Sequence, residues 1–156
     1  MSATLDAIDR RILDRLQADG SLSIAELADE LGMTAPPCWR RVRRLKDAGV
    51  LRQQVWTVDP TALGLTMTVY ANVKLAGHDA AATAAFRERI AAWPEVLECY
   101  ILLGTVDVLI KMVVRDIQEY ERVFFERLSQ LPGVREVNSS VVVSVVKQTS
   151  RLPTGG

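Results

Sequence analysis

Residues 34–46, Thr-Ala-Pro-Pro-Cys-Trp-Arg-Arg-Val-Arg-Arg-Leu-Lys, hold the side chains best suited to chemistry with a partner. Five of the last seven are arginine or lysine, in a chain whose 19 basic and 19 acidic residues sum to a net charge of +0. The positive charge is therefore local and needs a local explanation. Read at helical period, Cys38, Val42 and Leu45 share one face, while Trp39, Arg40, Arg43 and Lys46 share the other. The spacing predicts a short helix with an apolar back and a cationic front. Thr34 is its N-cap, and Pro36 and Pro37 fit a first turn whose N–H groups lack helical partners. Cations on one helix face attract a phosphate backbone, and a guanidinium can also grip guanine O6 and N7 with two parallel hydrogen bonds. Thr34, Pro36, Trp39, Arg40, Arg43, Arg44 and Lys46 are thus candidate DNA contacts, with Arg40 or Arg43 expected to reach base edges. Two roles are open to Trp39: stacking on a sugar or thymine methyl, or capping a small core. The plain alternative for the whole face is a solvated basic patch.

Other chemistries have little to draw on. Cys38 and Cys99 lack a CxxC companion, so neither a zinc site nor a disulfide framework is predicted, and both are expected to pack as small apolar residues. His78 is the only histidine, beside Gly77 and Asp79 in what reads as a solvated turn. A hydrolase triad or histidine metal site therefore has almost nothing to be built from, and no cofactor is expected. No apolar run reaches the roughly 20 residues of a membrane span, and the N-terminus reads unlike a signal peptide. A cytoplasmic location is expected.

The elements that must position the basic helix come first in the chain. Leu5, Ile8, Ile12, Leu13 and Leu16 recur at helical period, with Asp6 and Asp9 at the positive end of that helix and Gly20 closing it. Ser23-Ile-Ala-Glu26 is a capping box that opens a second helix, with Ile24, Leu27, Ala28 and Leu31 inward. Gly32-Met33-Thr34 turns into the basic helix, giving a helix-turn-helix layout whose second member enters the major groove. That placement favours DNA over a merely solvated face. Residues 50–58 have strand composition and read as a wing or an extended linker; Arg52 there is a candidate backbone contact. Trp56 has two readings, ordinary packing or a subunit contact.

The second half reads as strand 65–76, helix 79–92, strands 96–103 and 108–114, helix 117–131 and strand 134–146. That order is βαββαβ, a ferredoxin-like sandwich. The fold class is α+β: a winged helix-turn-helix domain over 1–52, a strand-like linker over 53–62, the βαββαβ domain over 63–148 and a tail over 149–156. Apolar runs at Val141-Val-Val and Val145-Val146 predict an uncovered apolar sheet face and dimerisation through it.

These residues resemble the Lrp/AsnC (feast/famine) family of transcription regulators. The resemblance rests on Leu5-Asp6-x-Ile8-Asp9-x-x-Ile12-Leu13-x-x-Leu16-Gln17-x-Asp19-Gly20 and on Pro37-Cys38-Trp39-x-Arg41-Val42-x-x-Leu45 with Gly49-Val50. Asp59-Pro60, Leu63-Gly64-Leu65, Pro94-Glu95-Val96, Glu98-Cys99, Gly104-x-x-Asp107 and Leu131-Pro132-Gly133-Val134 follow in order. It implies a winged helix-turn-helix, a RAM (ACT-like) domain for effector binding and oligomerisation, dimers that can build octamers, and control by small amino acids. It also implies an effector site around Gly104, Thr105, Val106 and Asp107, where Asp107 could accept from an α-ammonium group. Members often carry an acidic residue after the glycine and an aromatic one after the aspartate; Thr105 and Val108 stand there, which implies a smaller, less charged pocket. Thr34-Ala-Pro-Pro replaces a frequent Ser-Pro-Thr-Pro with the cap retained. Cys38-Trp39 and the ending Thr149-Ser-Arg-Leu-Pro153 are similar to the branch of local regulators of amino-acid catabolism.

The expectation is a sequence-specific regulator that binds a pseudo-palindromic operator as a homodimer, or a larger assembly, and answers to an amino acid or related metabolite. An effector-independent architectural protein is the alternative, although neutral overall charge disfavours a general DNA coater. An enzyme is not expected.

Overall fold

The computed structural model describes residues 4–77 and 80–155; His78 lies outside them. Two compact units emerge. One comprises the chain through Thr57 together with the segment from Lys147 onward, and the other spans Val58–Val146.

The first unit is three helices: α1 (Ala7–Ala18), α2 (Ile24–Glu30) and α3 (Ala35–Asp47). Asp6 caps α1 in a box with Asp9, and Ser23 caps α2 in a box with Glu26. Each box satisfies backbone N–H groups that a helix start leaves without partners. Gly32 follows α2 at φ +67°, the left-handed conformation that reverses the chain toward α3 without a Cβ penalty. The core is Ile12 from α1, Leu27, Ala28 and Leu31 from α2 and its end, and Cys38, Val42 and Leu45 from α3, as the helical periods require.

Both boxes make this unit acid-sensitive. The Asp9 backbone N–H, then the Arg41 guanidinium, hold Asp6 below the ordinary 3.8; the Ser23 hydroxyl and N–H hold Glu26 below the ordinary 4.5. A depressed folded value means stability present above the unfolded value and lost as pH falls through the folded one. The melting temperature of this unit is expected to fall as pH drops through and below the ordinary carboxylate values of 4.5 and 3.8. A flat profile there, read by circular dichroism, would count against the caps as stabilising elements.

The second unit contains β1 (Met67–Leu75), α4 (Ala80–Ala91), β2 (Val96–Ile101), β3 (Val108–Val114), α5 (Ile117–Glu126) and β4 (Val134–Val141). The sheet is fully antiparallel in the order β2-β3-β1-β4, the ferredoxin-like arrangement. Alternation decides its faces: Val69, Ala71 and Val73 of β1 and Val108, Ile110 and Met112 of β3 are buried, under Phe86 and Ile90 of α4 and Tyr120 and Val123 of α5.

Several local expectations change. The last helix stops at Glu126 instead of Leu131, because Arg127 leaves helical geometry (φ −130°, ψ −60°) and a 3-10 turn, Leu128–Gln130, follows. That break brings Leu128 into the core, whereas Ile117 stays exposed. The final strand ends at Val141, so Val143, Val145 and Val146 lie outside the sheet, exposed. Nor is the open sheet face simply apolar. One cross-strand row reads Glu98, Lys111, Tyr70, Ser140, with Lys111 paired to Glu98 at 2.9 Å and the Tyr100 hydroxyl on the same carboxylate at 2.9 Å. Exposed apolar side chains gather instead at Leu97, Ile101, Leu102 and Leu103 and beyond β4. Finally, residues 52–58 form no strand: their backbone finds no ladder partner among the described residues, and Val55, Trp56 and Val58 stand exposed, Trp56 at 92%. Trp56 therefore does not pack in its own chain. Cys99 is also exposed, on the edge strand β2, while Cys38 is buried as expected.

Candidate nucleic-acid interface and ligand loop

Helix α3 is fastened by charge as well as by its apolar back. Asp9 is fully buried, and its carboxylate faces two arginines of the basic run. Arg41 Nη1 donates to Asp9 Oδ1 at 2.8 Å and to Asp6 Oδ2 at 2.7 Å, and Arg44 donates to Asp9 Oδ2. The Asp6 N–H reaches the same Asp9 carboxylate at 3.1 Å. A fully buried carboxylate is tolerable only when paired and hydrogen-bonded, and this one is both. The signal was present in the sequence as matching spacings: acids at positions 6 and 9, arginines at 41 and 44. Sequence reasoning assigned the acids to the helix dipole and Arg44 to DNA. The geometry instead spends the Arg44 guanidinium on Asp9, because position 44 lies one turn beyond Arg41 toward α1.

With Arg41 and Arg44 turned to Asp9, Arg40, Arg43 and Lys46 remain on the exposed side of α3. Trp39 is half exposed on that side instead of capping the core, and the Arg43 guanidinium lies over its ring at 5.2 Å. Asp47, one turn on, approaches Arg43 Nε at 3.8 Å. A cation held between an aromatic face and a carboxylate loses part of its rotamer freedom before any partner arrives.

Thr34 occupies the N-cap position but its side chain makes no cap hydrogen bond. The reason lies in the next residues. A cap accepts from the N–H of the second or third helical residue, and those are Pro36 and Pro37, which have none. The cap is thus positional only, and the Thr34 hydroxyl is not spent on the helix. The same prolines remove N–H groups that could hold a phosphate, so anion recognition at this helix start falls to side chains. Arg52 is exposed in the segment that lacks a ladder partner.

In the second unit, Gly104, Thr105, Val106 and Asp107 link β2 to β3 as expected, with Gly104 and Thr105 exposed. Asp107 ties the loop to the sheet. Its N–H donates to Val73 O at 3.1 Å, its carbonyl accepts from Leu102 at 2.8 Å, and Oδ2 accepts the Leu75 N–H at 2.8 Å. The last contact falls where the β1–β4 register shifts between Lys74 and Leu75. One carboxylate oxygen is therefore engaged in holding the loop, a role that the sequence did not disclose. Val108 is fully buried and turns its side chain into the core. A groove of about 540 Å³ lies elsewhere on this unit, lined in part by Leu63, Leu65, Pro94, Glu95, Arg115 and Arg122. Among the described residues no group of three or more potential ligands could hold a metal ion, and no helix is long and apolar enough to cross a membrane.

Comparison with known proteins agrees with both units. Residues 5–52 match the winged helix-turn-helix DNA-binding model, and residues 68–152 match the Lrp/AsnC ligand binding domain. The DNA-binding transcriptional activator DecR of Escherichia coli K12 is 34% identical over 149 residues, covering 96% of this chain and 98% of that protein. The leucine-responsive regulatory protein of Rhizobium meliloti is 35% identical over 148 residues, covering 95% of each. Among solved structures, the transcriptional regulator NMB0573 of Neisseria meningitidis in its L-Met complex superposes with a TM-score of 0.93 at 32% identity, over 97% of this chain and 98% of that one. With a family model matched in each unit and relatives matched along nearly their whole length, the chain belongs to the Lrp/AsnC family of DNA-binding transcription regulators.

Proposed function

We propose that this protein binds a pseudo-palindromic operator through α3 and that an amino acid or related metabolite, seated at the 104–107 loop, sets its output. The observation that carries the reading is the division of labour in the basic run: Arg41 and Arg44 fasten the helix, and Arg40, Arg43 and Lys46 stay on its exposed side. Trp39 holds Arg43, and Thr34, with Pro36 in the first turn, lies at the end that approaches the duplex. Arg52 adds a backbone contact. No enzymatic step is assigned to the chain.

Relatives named for leucine response and glutamate uptake, and a neighbour solved with L-Met, support an amino-acid effector. Thr105 at the exposed loop supplies a neutral hydroxyl, which suits a neutral ligand better than a basic one. Exposed Val55, Trp56 and Val58, in a stretch without a ladder partner, support homodimerisation, because an extended apolar segment of this kind gains both backbone bonds and burial from a second copy.

Selection of duplexes from a random pool tests the DNA half of this reading, with an enriched inverted repeat expected. A thermal-shift panel of the common amino acids at millimolar concentration tests the other half. A ligand present at about 100 times its Kd adds roughly 2.7 kcal/mol to the folded state. Thr105→Ala is expected to abolish the shift. A pool without enrichment, or a panel without a single shift, would contradict the corresponding half.

A further inference from the structure

Helix α1 has a second polar face, opposite its core residues. Arg10, Asp14 and Gln17 recur at i, i+4, i+7, half a helical turn away from buried Ile12. All three are taken up by the end of the chain. Arg151 Nη2 donates to Asp14 Oδ1 at 2.6 Å, and Arg10 Nη1 donates to the Thr154 carbonyl at 2.6 Å. Between them, Gln17 accepts the Leu152 N–H at 2.7 Å through Oε1 and donates to the Leu152 carbonyl at 3.1 Å through Nε2. One side-chain amide thus satisfies both backbone groups of one extended residue, as a neighbouring strand would.

The tail is built for this seat. Thr149 Oγ1 accepts the Arg151 N–H at 3.1 Å and turns the arginine toward Asp14. Pro153 has no N–H to leave unsatisfied beyond Leu152, and its fixed φ keeps the segment extended. The Arg151–Asp14 pair is exposed and by itself worth little, so it acts as a register mark. Covalent attachment supplies the rest: a contact too weak for two separate molecules closes readily when the local concentration is set by the chain.

We propose that the outward face of α1, through Arg10, Asp14 and Gln17, is a peptide-docking site whose occupant is this chain's own C-terminal segment 149–155. The DNA-binding unit is then tethered to the ligand-binding unit at both of its ends, after Thr57 and before Lys147.

Amide hydrogen exchange on the full chain tests the proposal. The Leu152 amide is expected to exchange about tenfold or more slowly than an unstructured amide, and Gln17→Ala to restore the unstructured rate. Asp14→Arg and Arg151→Asp are each expected to speed exchange at Leu152, and the two changes combined in one chain to slow it again. A Leu152 amide at the unstructured rate in the unaltered protein would overturn the proposal, as would no response to Gln17→Ala. Slowing on mixing the two single variants would move the occupant to a second copy's tail and overturn the tether within one chain.

Discussion

Replacing Arg41 and Arg44 together by alanine is expected to destabilise the DNA-binding unit by about 3–5 kcal/mol, the cost of stripping a buried carboxylate of its charge partners. Asp9 has no exposed surface, and among the described residues its carboxylate would keep the Asp6 N–H alone as a donor, since its own N–H goes to Asp6 Oδ1. Such a loss is comparable with the whole stability of many small domains, so the unit should be largely unfolded at room temperature. Asp9→Ala is expected to cost less, about 1–2 kcal/mol, since it removes the buried charge along with half the capping box. The arginines it abandons, with side chains 27% and 55% exposed, can turn to water. Adding Asp9→Ala to the double arginine variant should therefore recover stability. Urea unfolding followed by Trp39 fluorescence, with Trp56 and Trp93 replaced by phenylalanine throughout, reads this order. If Asp9→Ala were the worst of the three, the carboxylate would be something other than a paired buried charge.

The second large effect is on DNA. Arg40→Ala with Arg43→Ala is expected to weaken operator binding by about 2–6 kcal/mol, roughly 1–3 for each guanidinium that reads a base. Random duplex should lose far less, because each change removes only one phosphate-attracting charge from its non-specific affinity. Trp39→Leu should reproduce part of the Arg43 effect while leaving the charge in place, since the ring orients the guanidinium. The folded state should be unaffected, as neither arginine touches the Asp9 anchor. Gel-shift titrations on operator and scrambled duplex decide the matter. Equal losses on both would reduce Arg40 and Arg43 to phosphate positioning.

Much of this architecture is legible in the sequence because it rests on period and punctuation. The heptad-like spacing around Ile12, the Ser23–Glu26 box and the alternation in β1 each encode an element locally. What escaped depends on pairing between distant residues. Arg44 looks like its neighbours until Asp9, 35 positions away, claims it. Asp107 reads as an acceptor for an ammonium group, and nothing near it in sequence shows that one of its oxygens also serves the Leu75 N–H, 32 positions away at the register shift. Thr34 reads as a capping residue, yet the two prolines after it remove the donors that a cap serves. The run of valines after Ser140 has strand composition throughout, but pairing with β1 ends at Val141, so propensity alone overshoots the strand. The seat of the tail on α1 had no local signal at all; it rests on Gln17 and Leu152, 135 positions apart.

DNA recognition by α3 is proposed to answer to a small ligand in the second unit. Its most direct test is operator affinity measured with and without each common amino acid, against a scrambled duplex at the same salt. The operator is expected to bind at least about a thousand times more tightly than scrambled DNA, with one amino acid or a related few shifting that affinity by about 5–150-fold. Equal binding to both duplexes, unmoved by any amino acid, would contradict it and leave an architectural DNA-binding protein in its place.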